Sequence, residues 1–340
     1  MGQKSRAAIY TVLASHFSEV GITIVNDLTD LEDLVTDKPD LVFLGMKYVP
    51  GELNNNHLGS NKIWLSEYLD EHNIAYTGST HSAHELELDK SLTKECVIAA
   101  GLNTSSYIVA RRTKLLTPQN VTLKFPVFIK PTDRGGGTGV DSASLANNFD
   151  ELLTKVKSIR SELGADSLIE EYLPGREFSV AIIKEKFTNK YLAMPLELVA
   201  PANINGDRFL SAAIKSADTE TFKAVAEGDV RDQVTSLAIK AFRALGARDY
   251  GRIDIRFDKS GTAHFLEANL IPSLIKDYGN FPKACKINLQ MDYEAMLLHI
   301  VDLALTRSSY LRTQHSLAEP RLTDLTPYGV TYRYNRISTK

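Results

Sequence analysis

Between Gly251 and Asn269 the chain reads GRIDIRFDKSGTAHFLEAN, two alternating apolar and polar runs around Asp258-Lys259-Ser260-Gly261. That is the pattern of a β-hairpin, and strand side chains alternate between faces with period two. A turn that leaves Phe257 opposite Thr262 sets Asp254 across from Phe265 and Arg252 across from Glu267. One face then carries Arg252, Asp254, Glu267 and Asn269, and the other carries Ile253, Ile255, Phe257, Leu266 and Ala268. Asp254 and Glu267 are expected as diagonal neighbours. Two carboxylates that close repel each other unless a cation separates them, and Asn269 adds a neutral oxygen. Such donors suit Mg²⁺, with Mn²⁺ as the alternative; Mg²⁺ commonly takes one or two carboxylates plus substrate phosphates. Arg252 can offset part of the charge and reach an oxyanion or phosphate. A hairpin with one solvated polar face shows the same pattern, so the hairpin alone leaves both readings open.

A second group of residues suits phosphate. Lys130 ends the apolar run FPVFIK and is followed by Pro131-Thr132-Asp133-Arg134-Gly135-Gly136-Gly137-Thr138-Gly139. Clustered glycines permit positive φ and let successive backbone N–H groups converge on an anion. No Gly-Lys-Ser/Thr closes the run, so it is not a P-loop, and a plain flexible turn stays open as the alternative. Lys90 lies at the start of a helix, where the backbone already favours anions. Glu170 and Glu171 end SLIEEYL; with Tyr172 and Leu173 they are placed to present backbone groups to a purine edge. Glu177 can accept hydrogen bonds from ribose hydroxyls. Exposed acidic turns would look the same.

Composition narrows the classes. The 340 residues suggest more than one domain, and 43% apolar with 24% charged residues is ordinary for a globular chain. A net charge of −3 gives no basic surplus for a nucleic-acid backbone, so no nucleic-acid partner is expected. Cys96 and Cys285 form no CxxC pair, which argues against a thiolate zinc site and a disulfide framework. No apolar run reaches the roughly 18 residues of a membrane span, and the N-terminus lacks a signal-peptide core. A cytoplasmic location is therefore expected.

The elements that must position these residues read as α/β. Arg6 to Phe17 is expected as a helix, Thr23 to Val25 and Asp40 to Leu44 as strands, Lys62 to Glu71 as a helix and Ile74 to Tyr76 as a strand. Asp89 is the expected N-cap of a helix whose Leu92, Cys96, Val97 and Ala100 recur at helical spacing. FPVFIKP, a helix over Phe149 to Leu163, the strands SLIEEYL and FSVAII, a helix over Val230 to Leu245, the hairpin and a helix over Tyr293 to Leu305 follow.

Taken together, ELDKSLTK, FPVFIKPTDRGGGTGV, SLIEEYLPGREFSVAI, an isolated Lys215, and GRIDIRFD with FLEANLIPS stand in an order that resembles the ATP-grasp superfamily, and within it the D-alanine–D-alanine ligases. The resemblance spans most of Asp40 to Leu305. It implies an ATP-grasp fold of three subdomains: a reduced N-terminal α/β unit (1–84), a central ATP-binding unit (85–173) and a C-terminal catalytic unit (174–306), with ATP between the last two. It implies an ATP-dependent carboxylate–amine ligase working through an acyl phosphate on small molecules. Lys90, Lys130 and the loop Gly135, Gly136, Gly137 and Thr138 would meet the ATP phosphates, and Lys215 would approach the γ-phosphate. Glu170, Glu171, Tyr172 and Leu173 would meet adenine, and Glu177 the ribose. Asp254, Glu267 and Asn269 would hold Mg²⁺, and Arg252 would stabilise the tetrahedral intermediate.

Three departures set the chain apart from that pattern. Met1 to Arg6 reads as the start of the family's Gly-rich turn, so the first strand and its amine-binding glutamate are not expected in this sequence. Gly45-Met46-Lys47-Tyr48-Val49-Pro50-Gly51 stands in place of the His-Gly and Gly-Glu-Asp-Gly segment. Asn269-Leu270-Ile271-Pro272-Ser273 ends in serine rather than glycine. D-alanine is accordingly expected to be a poor first substrate; if it is used, Glu52 or Glu85 would have to hold its amine. A D-alanine–D-alanine ligase proper and an ATP-binding protein without ligase activity are the rival readings. Residues 307–340 read as an irregular tail, either solvated or packed through Tyr328, Tyr332 and Tyr334 onto the body or a second copy of the chain in a homodimer.

Overall fold

The computed structural model describes residues 1–51, 62–188, 190–201 and 220–318, with side chains described to residue 308. Lys215, Glu52 and the tyrosines of the tail lie outside the described residues.

The site is built on a five-stranded sheet. Its strands are β9 (Glu177–Lys184), β10 (Tyr191–Val199), β11 (Thr221–Ala224), β12 (Tyr250–Phe257) and β13 (Ala263–Asn269), in the order β11-β10-β9-β12-β13, every pair antiparallel. One face is apolar along its length. Phe178, Val180, Ile182, Ile253, Ile255 and Phe265 pack there against Val234, Ala238, Ala241 and Phe242 of helix Asp229–Ala244. The opposite face changes character along the strands. At one end Ala181, Ile183 and Tyr250 meet the helices Asn280–Leu289 and Tyr293–Ala318 through Phe281, Cys285, Met296 and Ile300. Toward the other end the same face carries Arg252, Asp254 and Arg256 on β12, beside Ser179 and Glu177 on β9.

A four-stranded sheet faces that polar end. Its order is β5-β8-β6-β7, from β5 (Tyr107–Ala110), β6 (Val127–Pro131), β7 (Leu145–Ala146) and β8 (Ser167–Glu171). Helix Phe149–Leu163 covers its back with Leu152, Val156 and Ile159. Asn148 caps this helix by accepting from the Glu151 N–H, and Gly164 ends it at φ 59°. Helix Lys90–Ala99 starts at the cap Asp89, whose carboxylate accepts from Ser91 and Leu92 N–H.

The N-terminal part departs most from expectation. Helix Gln3–Ala14 and strands β1 (Leu41–Val42) and β4 (Ala75–Tyr76) are present, the two strands paired in parallel. Thr23 to Val25 is not a strand, because β1 and β4 pair only with each other and give it no ladder. Lys62 to Trp64 is β3, paired with β2 (Tyr48–Pro50), so the helix read over Lys62 to Glu71 begins only at Leu65. Tertiary pairing overrides helical spacing there. Helix Leu28–Thr36, capped by Asp27, and strand β10 were not anticipated. The last helix runs on to Ala318, past the Leu305 end expected from sequence.

Candidate active site

The hairpin is out of register with the simple alternation. Ile255 pairs with Phe265, but Asp254 pairs with Glu267, so Leu266 is an extra residue in a bulge. Phe257 pairs with Ala263, one residue beyond the expected Thr262, which puts Phe265 on the face of Ile255; the bulge then returns Glu267 and Asn269 to the face of Asp254. Phe265 is fully buried in the apolar face, and Leu266, expected in the core, lines the cleft instead. Asp254 and Glu267 thus stand directly opposite, not diagonally, and Arg252 opposes Asn269. These four side chains border one cleft, together with Lys90, Arg134 and Gly136.

Arg252 grips Asp254 with two parallel bonds, Nε to Oδ1 at 2.9 Å and Nη2 to Oδ2 at 2.8 Å. Ser179 Oγ adds a bond to Oδ1 at 3.1 Å. Burial alone would lower the Arg252 pKa; the Asp254 carboxylate, with Glu267 and Glu87, reverses this and raises it. The guanidinium is therefore a fixed positive charge. A carboxylate oxygen has more than one lone pair, so the ion pair leaves Asp254 able to accept further. Among the described residues no cluster of three His, Cys, Asp or Glu is arranged to hold a metal. The set here is two carboxylates and an amide, all hard oxygens. It fits a Mg²⁺ ion whose remaining ligands come from phosphate and water.

Lys130 approaches from the four-stranded sheet, and Lys90 and Lys94 from the helix Lys90–Ala99. Lys130 Nζ meets Glu170 Oε2 at 2.8 Å, and Lys94 Nζ meets Glu170 Oε1 at 2.6 Å. Ser105 Oγ also donates to Oε1 at 2.9 Å. Burial would raise the Glu170 pKa, but the two ammonium groups pull it down to about 2. Burial opposes the Lys130 charge too; Glu170 and Glu267 overcome it and raise its pKa. Glu170 was read as presenting backbone groups to a purine, a reading that concerns its main chain. Its side chain is the buried counter-ion of Lys130 and Lys94, while Glu171 beside it is exposed. Lys94 went unnoticed, although it follows Lys90 by one helical turn on the same face. Lys90 donates to the Arg134 carbonyl, tying it to the glycine loop, and burial lowers its pKa.

Gly136, Gly137 and Gly139 take φ of 66°, 83° and 75°, the region that favours glycine. A methyl on Gly139 would lie 2.7 Å from Pro131 Cγ and 2.8 Å from a Leu163 methyl, whereas one on Gly136 would meet open space. The expected nest is only partial. The N–H groups of Thr138 and Val140 turn inward to the Gly135 and Gly137 carbonyls, which removes them as phosphate donors.

The cleft has two joined lobes. One, of about 100 Å³, is bordered by Lys130, Thr138, Tyr172, Leu173, Glu177 and Arg256, where a nucleoside was expected. Two details differ from that expectation. The Glu171 and Tyr172 N–H groups are spent on the Ser106 and Pro126 carbonyls, so a backbone donor to a purine must come from beyond Tyr172. Glu177 accepts from Arg256 at 3.0 Å, and the same guanidinium lies 5.2 Å from the Tyr172 ring centre. The other lobe, of about 270 Å³, reaches from Arg252 and Glu267 to Lys47, Glu87, Ser273 and Tyr278. Lys47 and Glu87 were not anticipated as site residues. Glu85, proposed as a substitute amine holder, is an exposed side chain on the outer face of helix His81–Leu88.

Known proteins resemble the chain in sequence and in fold. Residues 97–302 match the family model described as D-ala D-ala ligase C-terminus. The Uncharacterized protein y4sG of Sinorhizobium fredii is 29% identical over 255 residues, 73% of this chain and 71% of that protein. The D-alanine–D-alanine ligase of Hydrogenovibrio crunogenus is 25% identical over 273 residues, 80% of this chain and 82% of its own. Among solved structures, the D-alanine–D-alanine ligase of Bacillus anthracis complexed with ATP superposes with a TM-score of 0.69. It shares 18% identity and covers 92% of this chain and 94% of that one, a likeness of fold.

Proposed function

The chain belongs to the D-ala D-ala ligase C-terminus family, and from that premise we propose that it is an ATP-dependent ligase joining a small-molecule carboxylate to an amine through an acyl phosphate. The observation that carries this reading is the convergence on one cleft of Arg252, the opposed Asp254 and Glu267, Asn269 and Lys90. A plain solvated hairpin face would not lie against Lys90 of a helix and the buried Lys130 of a second sheet.

The three-part division at about residues 84 and 173 accompanies this reading, with ATP between the central and C-terminal sheets. Lys90 and Lys130 hold phosphate oxygens, and Glu170 keeps Lys130 aimed. Gly135, Gly136, Gly137 and Thr138 cover the phosphates and exclude water from the acyl phosphate. Tyr172, Leu173 and Glu177 border the nucleoside, and Glu171 stands at its outer edge; Lys215, which the resemblance assigns to the γ-phosphate, lies outside the described residues. Asp254, Glu267 and Asn269 would hold Mg²⁺, which supplies charge neutralisation between phosphates. A carboxylate oxygen of the first substrate takes the γ-phosphoryl group from ATP, and ADP leaves. The amine then attacks the acyl carbon. Phosphate departs with that carboxylate oxygen, and the amine's surplus proton goes to solvent. Arg252, held by Asp254, faces the negative charge that develops on the carbonyl oxygen.

ADP release measured over pairs of amino acids with Mg²⁺ tests the reading. Turnover that needs both an acid and an amine is expected. ATP hydrolysis indifferent to every acid and amine would contradict it.

A further inference from the structure

The larger lobe of the cleft contains a charged cluster that the nucleotide and metal assignments leave unused. Lys47 stands just before β2, in the segment that departs from the ligase pattern, and its carbonyl accepts from the Leu65 N–H at 3.0 Å. Its ammonium donates to Glu87 Oε1 at 2.7 Å. The other oxygen of Glu87 meets His84 Nδ1 at 3.4 Å, one turn earlier on the same helix. Burial opposes the Glu87 charge, yet His84 and Lys47 outweigh it and hold the carboxyl below its ordinary range.

Exposure separates the roles of the two ions. The Glu87 side chain is 4% exposed, and its two oxygens are engaged by Lys47 and His84 within the protein. The Lys47 side chain is 21% exposed and borders the lobe. An ammonium has three donors, and Glu87 takes one. The group shown to a ligand is therefore a cation, anchored from behind by a buried carboxylate. Lys47 borders the lobe that holds Arg252, Ser273 and Tyr278, and it does not border the nucleoside lobe. A substrate ammonium at this point would meet a like charge, because the negative charge of Glu87 is already compensated. A substrate carboxylate would meet an oriented donor.

We propose that Lys47, positioned by Glu87, reads a second carboxylate on the acid this enzyme activates, so that a dicarboxylic acid is preferred over a neutral amino acid such as alanine. The proposal rests on the ligase reading: Arg252 faces the carboxylate that reacts, and Lys47 the one that does not.

Hydroxylamine in place of the natural amine tests the first half-reaction alone, since it traps an acyl phosphate as a coloured hydroxamate. The full chain with ATP and Mg²⁺ is offered aspartate, glutamate, alanine and serine, each as both enantiomers. The dicarboxylic acids are expected to exceed the neutral ones in kcat/KM by at least about tenfold. Lys47→Met should collapse that ratio mainly through KM for the dicarboxylic acid, and Lys47→Arg should keep part of it. Glu87→Gln should move the ratio in the same direction, which a general structural loss would not do. A preference for the neutral acids overturns the proposal while leaving the ligase reading intact, as does a ratio untouched in Lys47→Met. A rise in KM for ATP alone, equal with all acids, would move Lys47 to the nucleotide and overturn it as well. Failure to form a hydroxamate with any acid, while ATP still protects the chain against thermal unfolding, would overturn the ligase reading and this proposal with it. Should Lys47→Met not fold, the wild-type ranking and Lys47→Arg decide.

Discussion

Asp254 stands directly across the hairpin from Glu267 because one extra residue, Leu266, bulges out of β13 between the two pairings that flank it. With Phe257 paired to Ala263, an unbroken ladder would put Leu266 opposite Asp254 and Glu267 opposite Ile253 on the apolar face. The bulge returns Glu267 to the polar face and brings the two carboxylates level.

That parity separates neighbouring substitutions. Phe265→Ala should destabilise the fold by about 3–5 kcal/mol, the usual cost of emptying a buried aromatic site. Leu266→Ala should cost much less stability and instead raise KM for ATP, since this side chain borders both lobes of the cleft. Denaturant unfolding and steady-state kinetics on the two variants check it. Equal stability losses would place Leu266 in the core.

Glu170 governs acid stability. Its folded pKa, about 2, lies below the ordinary carboxylate range near 4.3. A depressed carboxylate pKa contributes stability that is fully present above the unfolded value and lost as pH falls through the folded one. The chain should therefore lose stability between about pH 4.3 and pH 2, with Lys94 and Lys130 left facing a neutral partner. Glu170→Gln should reproduce that loss at neutral pH, about 3–5 kcal/mol for breaking a buried pair, and flatten the acid limb. Urea unfolding across pH checks both. An acid limb unchanged in the variant would exclude Glu170 as its source.

The glycine loop gives a graded test. Gly136→Ala meets open space and carries only the strain of positive φ, about 1–2 kcal/mol if borne fully by the folded state. Gly139→Ala also collides with Pro131 and Leu163, so it should destabilise more. If the loop covers the phosphates, Gly136→Ala slows turnover by more than its stability loss predicts. Losses matched in both would make the loop a plain turn.

What the sequence showed followed from local rules. Period-two alternation put Arg252, Asp254, Glu267 and Asn269 on one side of a hairpin, and within each strand that grouping survives the bulge. The helix read over Phe149 to Leu163 is found with those bounds, and the structure adds its Asn148 cap and Gly164 stop. The bulge itself was invisible, because nothing in FLEAN distinguishes a regular strand from one with an extra residue. Glu170 and Glu171 were legible as a pair of acids, but which one turns inward depends on the neighbouring lysines. Lys94 was legible from its spacing to Lys90. Lys47 and Glu87 were not, since 40 residues separate them and only the tertiary fold brings them together. The N-terminal strands are two or three residues long, too short for periodicity to mark.

The metal assignment predicts a specific loss. Glu267→Gln keeps the size and the hairpin pairing of the side chain but removes one of the two opposed charges. Folding should persist, and Mg²⁺-dependent ADP formation should fall by at least about a hundredfold, about 2.7 kcal/mol of transition-state stabilisation. Undiminished turnover would remove Glu267 from the metal set.

The central claim, that a carboxylate is activated as an acyl phosphate in this cleft, is tested most directly by oxygen transfer. The acid that gives the fastest turnover is prepared with isotope-labelled carboxylate oxygens, and the phosphate released during amide formation is examined by mass spectrometry. One labelled oxygen in each phosphate is the predicted result, because the carboxylate oxygen that takes the phosphoryl group departs with it. Phosphate carrying no label while amide is formed would contradict the account.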